Sequence, residues 1–290
     1  MTKLDFLMYA RQLASNNNVQ MMLPVIEKEL LHYEILLAMD KFGLLSNLVF
    51  QGGTCLRLCY GSQRYSEDLD FAGGVDFTAG DLKDLRKCIA LAIPERYSVD
   101  VDVLSPNKEK SLVKKWRIKI DTAPERPDLP AQKISVEIAS IPAYTKQARM
   151  LQLNYDGLPA SYADIIVPSE SLEEILADKM QAFVCSHRIR YRDIWDIFWI
   201  MRRPVLNLEE AYRLRALKEV DYSEQTQFKK GICRVKNQLG EIVQSQEFSR
   251  EMMRFLPADL YDKTMGRAEY RSLMIEGIQN LYAEDGSLHA

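Results

Sequence analysis

The sequence predicts an α+β protein, with a mixed α/β lobe over residues 1–168 and an all-helical lobe over residues 169–290. Three observations carry this. Between residues 97 and 140, "YSVDVDVLS", "VKKWRIKID" and "KISVEIAS" set apolar against polar residues with a period of two, the pattern of half-buried strands. Ser171, with Glu174 three residues on, forms a capping box that opens the helical run "LEEILADKMQAFV". From there to about residue 283 the chain is compatible with helix, and no stretch alternates as a strand would.

Residues 3–16 and 22–42 predict helices, the second from Leu23, Ile26, Leu30 and Leu31 at helical spacing. "NLVFQ" (47–51) is a short strand ending at Gly52-Gly53, and "TCLRLCYG" a brief helix closed by Gly61. "EDLDFA" is the next strand, and residues 79–93 form an amphipathic helix that stops before Pro94. After the three alternating strands, whose last connection is punctuated by Pro124, Pro127 and Pro130, Ile165, Ile166 and Val167 give one more strand before Pro168.

Composition narrows the function classes. With 290 residues, 47% hydrophobic and 27% charged, the chain is ordinary for a folded protein, and its length suggests two domains. No apolar run is long enough for a signal peptide or a membrane span, so a cytoplasmic location is expected. His32, His187 and His289 lie far apart, and the five cysteines form no CxxC pair, which argues against a histidine metal site, a Ser-His-Asp triad or a zinc ribbon. Cys55 and Cys59 read as small buried hydrophobes. A net charge of −3 does not announce a polyanion partner, yet cations cluster locally: Lys108, Lys110, Lys114, Lys115, Arg117 and Lys119 in one place, Arg188, Arg190, Arg192, Arg202 and Arg203 in another.

The chemistry concentrates in "FQGGTCLRLCYGSQRYSEDLDF" (50–71). On a strand, Asp68 and Asp70 leave by one face while Leu69 and Phe71 leave by the other. Two neighbouring carboxylates repel unless a cation sits between them, and Mg²⁺ accepts one or two carboxylates together with phosphate oxygens. Asp100 and Asp102 repeat the spacing, but no glycine turn precedes them, and they are assigned to solvent. A glycine turn at Gly52 and Gly53 that leads into a helix offers backbone N–H groups to an anion. Thr54 can add a hydroxyl; Arg64 and Ser66 can face phosphate, though Arg64 can equally pair with Glu67 or Asp70, and Ser66 can cap a turn. Arg57 is open to the same two readings. Glu137, amid Ser135 and Ala139 on its strand face, is a candidate third metal ligand, completing a two-metal arrangement, or else an acid on an open sheet surface.

These residues, Gly52-Gly53-Thr54, Leu56-Arg57-Leu58, Tyr60-Gly61, Arg64 and Ser66 to Phe71, resemble the first motif of the AbiEii/AbiGii-type nucleotidyltransferase toxins of type IV toxin–antitoxin systems, the MenT-like members included. "LEEILADKMQAF" and "RYRDIWDIF" resemble that family's later motifs. The resemblance implies a DNA-polymerase-β-like nucleotidyltransferase core with a helical second domain, transferring a nucleotide from an NTP to an acceptor hydroxyl. It implies Mg²⁺ on Asp68 and Asp70, Lys179 at the triphosphate, and Asp193 as support, with Asp196 an alternative for that acid. It further implies RNA as acceptor, at the acceptor end of tRNA, and a winged-helix antitoxin as partner. Two other readings remain: a nucleotidyltransferase acting on a small molecule or protein, and a catalytically idle binding protein of the same fold.

Overall fold

A computed structural model of the chain describes residues 3–106, 111–126, 128–223 and 225–285. Lys108, Lys110, Pro127 and His289 lie outside the described residues. The chain divides into two compact units, Met1–Ser169 and Glu170–Ala290.

The first unit is built on seven described strands: β1 (Val49–Gln51), β2 (Leu69–Ala72), β3 (Asp100–Leu104), β4 (Val113–Asp121), β5 (Gln132–Ala139), β6 (Gln147–Met150) and β7 (Ile166–Ser169). They form one mixed sheet in the order β3-β4-β5-β2-β1-β7-β6. The β2–β5 and β1–β7 pairs are parallel; the other pairs are antiparallel. Among the described residues, four α-helices accompany the sheet: α1 (Phe6–Asn16), α2 (Leu23–Lys41), α3 (Gly52–Tyr60) and α4 (Leu85–Arg96).

Alternation decides which face is core. Leu69 and Phe71 on β2, Ile134, Val136 and Ile138 on β5, and Trp116, Ile118 and Ile120 on β4 are all buried. The intervening Asp70, Ser135, Glu137, Lys115, Arg117 and Lys119 are half-buried or exposed. The sheet therefore keeps one face open over β2, β5 and β4. α2 is buried nearly all round, which is why its Glu29, His32 and Glu34 need partners within the protein.

Two local expectations need correction. α4 runs through Pro94 to Arg96, because the proline sits in the last turn, where the lost N–H removes a single bond and Tyr97 N still reaches Ile93 O at 3.0 Å. β6 has no apolar alternation to reveal it: "QARM" alternates half-buried with exposed residues, on an edge strand paired with β7.

The second unit holds α5 (Leu172–Cys185), α6 (Tyr191–Met201), α7 (Leu208–Asp221), α8 (Gln225–Gly231), α9 (Cys233–Asn237), α10 (Leu239–Gln244), α11 (Gln246–Phe255), α12 (Ala258–Lys263) and α13 (Ala268–Glu284). Its described residues contain no strand. α5 packs against α6, α7 and α8, while α13 packs against α6, α9 and α10. Ser171 caps α5, its hydroxyl accepting from Glu174 N at 3.3 Å.

Candidate active site

Sheet register assembles a polar row on the open face. Gln51 of β1 lies opposite Asp70 of β2, Asp70 beside Glu137 of β5, and Glu137 opposite Lys115 of β4. Residues opposite one another in a ladder share a face. Lys115 Nζ meets Glu137 Oε1 at 2.5 Å, so the Glu137 carboxylate has a cation of its own. Among the described residues, no three His, Cys, Asp or Glu side chains gather closely enough to cage an ion. Glu137 therefore sits beside Asp70 in register with its carboxylate paired to Lys115.

Asp68 precedes β2 and is fixed from three directions. Thr54 Oγ1 donates to the Asp68 carbonyl oxygen. Ser135 N donates to Asp68 Oδ1 at 3.1 Å. On its N-terminal side α2 clasps Glu67 twice: Lys28 pairs with the carboxylate, and His32 Nε2 donates to the carbonyl oxygen at 3.0 Å. Burial holds the His32 pKa below its usual value, keeping a neutral imidazole with its proton on Nε2. Sequence reasoning offered the Thr54 hydroxyl to a phosphate; the fold gives it to the backbone of the carboxylate strand. Lys28 and His32 were missed altogether, since nothing in α2 marks them as neighbours of residue 67.

The glycine turn meets the carboxylates closely. Gly52 has φ +77°, and a Cβ built there would lie 2.6 Å from Asp70 Oδ2. Only glycine suits both the left-handed backbone and that approach. A Cβ on Gly53 would lie 2.5 Å from Arg64 Nη2 and 2.9 Å from Ser66 Oγ, so both buried side chains gather over the first turn of α3. That helix start has no side-chain cap, and its first N–H groups lack intrahelical acceptors, as anion sites require. Arg57 points elsewhere: its Nε donates to Glu29 Oε2 at 2.9 Å, and its guanidinium lies 4.3 Å from the Tyr65 ring centre. Its ion-pair partner is Glu29, and that buried pair ties α3 to α2.

The donor set suits a hard divalent cation. Asp68 and Asp70 are two neighbouring carboxylates beside a glycine turn, and Mg²⁺ takes one or two carboxylates together with phosphate oxygens rather than an all-protein cage.

In the helical unit, Lys179 of α5 is buried between two aspartates of α6: its Nζ is 3.0 Å from Asp193 Oδ1 and 2.7 Å from Asp196 Oδ2. Arg190 pairs with the other Asp193 oxygen. Burial opposes the charge on Asp193, but Lys179 and Arg190 overcome it and hold the carboxyl well below its usual range. The resemblance left open whether Asp193 or Asp196 is the functional acid; both pair with Lys179, and Asp193 also with Arg190. A second buried cluster escaped sequence reasoning: Lys218 of α7 lies 3.2 Å from Glu170, 2.8 Å from Glu174 and 3.2 Å from Asp178.

Residues 34–282 match the family described as the AbiEii nucleotidyltransferase toxin of a type IV toxin–antitoxin system. The chain belongs to the AbiEii nucleotidyltransferase toxin family. It is therefore a nucleotidyltransferase, with an NTP as substrate and an antitoxin implied by the system. Two solved structures share the fold. MenT4, a nucleotidyltransferase toxin from Mycobacterium tuberculosis, superposes with a TM-score of 0.57 at 16% identity, over 94% of this chain and 92% of that one. JHP933 from Helicobacter pylori gives a TM-score of 0.50 at 19% identity, over 91% of this chain and 96% of that one. No curated protein sequence matches the chain. No described helix is long and apolar enough to cross a membrane.

The second Asp-x-Asp behaves as a surface pair: Asp100 and Asp102 are exposed on β3, and Asp102 faces Lys119 across the ladder.

Proposed function

We propose that this AbiEii-family toxin is an Mg²⁺-dependent enzyme that transfers a nucleotide from an NTP to a hydroxyl of RNA, at the acceptor end of tRNA. The approach of Gly52 to Asp70 carries the reading, because it sets a phosphate-accommodating turn against a carboxylate pair. In the reaction an acceptor hydroxyl oxygen forms a bond to the α-phosphorus, the bond to the bridging oxygen of pyrophosphate breaks, and the hydroxyl loses its proton.

Asp68 and Asp70 would hold the cation, which supplies charge compensation for the phosphates and the leaving pyrophosphate. The N–H groups at the start of α3, with Arg64 and Ser66 over Gly53, receive triphosphate oxygens, since phosphoryl transfer depends mainly on positioning and charge. Lys179, oriented by Asp193 and Asp196, is assigned to the triphosphate as a point charge. The Arg188–Arg203 cations favour an RNA acceptor over a small molecule. A cytoplasmic location and a winged-helix antitoxin complete the proposal.

The test is incubation of the pure protein with each labelled NTP, Mg²⁺ and total RNA. Label should enter tRNA and vanish with Asp68→Ala. Label found only in protein or small-molecule pools would move the acceptor class, and no incorporation into any pool would sink the enzymatic reading of this site.

A further inference from the structure

The helical unit gathers cations that are separated in sequence. Residues 186–192, "SHRIRYR", and 229–236, "KKGICRVK", contain seven lysines and arginines and no acid, in a chain whose net charge is −3. The fold brings the two stretches together. Arg234 Nη1 donates to Phe183 O at 3.0 Å and to Ser186 O at 2.7 Å, tying α9 to the end of α5. The α8–α9 junction packs so closely there that a Cβ on Gly231 would lie 2.2 Å from Val184 O. Arg188, Lys229, Lys230 and Lys236 are exposed. The neighbouring acids are engaged: Asp193 by Lys179 and Arg190, and Glu251 by Arg192 at 3.7 Å and Arg254 at 2.9 Å.

We propose that this face, residues 186–192 together with the α8–α9 edge, binds the phosphate backbone of a nucleic-acid acceptor. The inference rests on the reading that the acceptor is RNA, and it assigns the residues that hold it. A row of exposed cations without interspersed acids costs self-repulsion, which a polyanion relieves. Anchoring by Arg234 and Gly231 fixes the spacing of those cations, so phosphates can be met without reordering the chain. Because Arg190 lies within residues 186–192 and pairs with Asp193, backbone binding there adjoins the residues that orient Lys179. The contacts are to phosphate, so they set affinity and register rather than base choice.

Binding is measured by fluorescence anisotropy with a labelled RNA hairpin bearing a single-stranded 3′ end, independently of nucleotide transfer. Wild type is compared with Arg188→Glu/Lys229→Glu/Lys230→Glu/Lys236→Glu and with a control of equal charge change, Lys41→Glu/Lys83→Glu/Arg86→Glu/Lys87→Glu, at exposed sites of the other unit. The patch variant should lose at least about tenfold in affinity, and its log–log salt slope should flatten by roughly 2–3, at about 0.7 per single-strand phosphate lost. The control should change less than about threefold, by the same rule. Equal losses in both variants would reduce the effect to bulk charge and overturn the assignment, as would no loss in either. If the patch variant unfolds, Lys229→Gln/Lys230→Gln, whose side chains are exposed, answers the same question. Binding lost through the patch while label enters only protein would spare the surface and refute the RNA acceptor; transfer to RNA undiminished in the patch variant would do the reverse.

Discussion

Asp68 and Asp70 are two positions apart, as are Asp100 and Asp102, and both pairs belong to the sheet unit. The second pair is exposed on β3, with solvent and Lys119 to satisfy it. The first is half-buried: Thr54 and Ser135 fix Asp68, and Gly52 is pressed against Asp70. Spacing is shared and surroundings are not. Two neighbouring carboxylates drawn partly out of water repel one another, a cost that a bound cation relieves, so the restrained pair is the one we propose for chemistry.

The sharpest way to break the comparison is to neutralise each pair. Asp68→Asn or Asp70→Asn should lower nucleotide transfer on the order of a thousandfold, the several kcal/mol that metal-borne charge stabilisation supplies. Asp100→Asn with Asp102→Asn should leave the rate within about twofold, as surface changes away from a site usually do. Comparable losses from both pairs would erase the distinction.

A parallel contrast separates the two buried lysines of the helical unit. Lys179 adjoins the loop before α6, whereas Lys218 is fully enclosed by Glu170, Glu174 and Asp178. Lys218→Met should cost about 3–5 kcal/mol in urea unfolding, because it strands buried carboxylates without a cation. Burial, with Asp178 beside it, raises the Glu170 carboxyl well above its usual range. The folded chain then keeps a proton that the unfolded chain has released, so this cluster's contribution to stability falls as pH rises above the ordinary carboxyl range of about 4–5. Asp193, depressed in the folded state, works oppositely: its contribution is present above the ordinary range and is lost as pH falls through its lowered value. Glu170→Gln should flatten the neutral-to-alkaline decline in unfolding midpoint; an unchanged slope would show that the cluster does not hold the proton.

The glycine turn gives an intermediate effect. Gly43 and Gly52 both have positive φ, at +69° and +77°, but a Cβ on Gly43 meets nothing within 4 Å, whereas one on Gly52 meets Asp70. Alanine at either position should cost about 1 kcal/mol or more of stability through backbone strain. Gly52→Ala should also reduce transfer about a hundredfold, as misplacement of a reacting group by about 1 Å does. Equal activity in the two variants would remove the close approach from the account. Smallest of all, Thr54→Val should cost about tenfold in rate by freeing the Asp68 carbonyl, with Thr54→Ser restoring most of it, consistent with about 1.4 kcal/mol for one hydrogen bond.

The parts of this site that the sequence exposed were local. Gly52-Gly53 before a short helix, and Asp68 and Asp70 beside Leu69 and Phe71, declare themselves because turn chemistry and strand alternation act over a few residues. Register brought Glu137 to Asp70, but no periodicity could reveal that Lys115 lies opposite it. Partners distant in sequence were hidden for the same reason: Arg57 with Glu29, Glu67 with Lys28 and His32, and Lys218 with the acids of α5 and its approach. β6 was invisible because an exposed edge strand needs no apolar face.

The central claim is that Asp68 and Asp70, and not Asp100 and Asp102, hold the divalent cation. Isothermal titration of Mg²⁺ into protein saturated with a non-hydrolysable NTP analogue tests it directly. Wild type and Asp100→Asn/Asp102→Asn should give the same Kd, with binding lost in Asp68→Asn/Asp70→Asn. Undiminished Mg²⁺ binding by the Asp68/Asp70 variant, or its loss in the Asp100/Asp102 variant, would contradict the account.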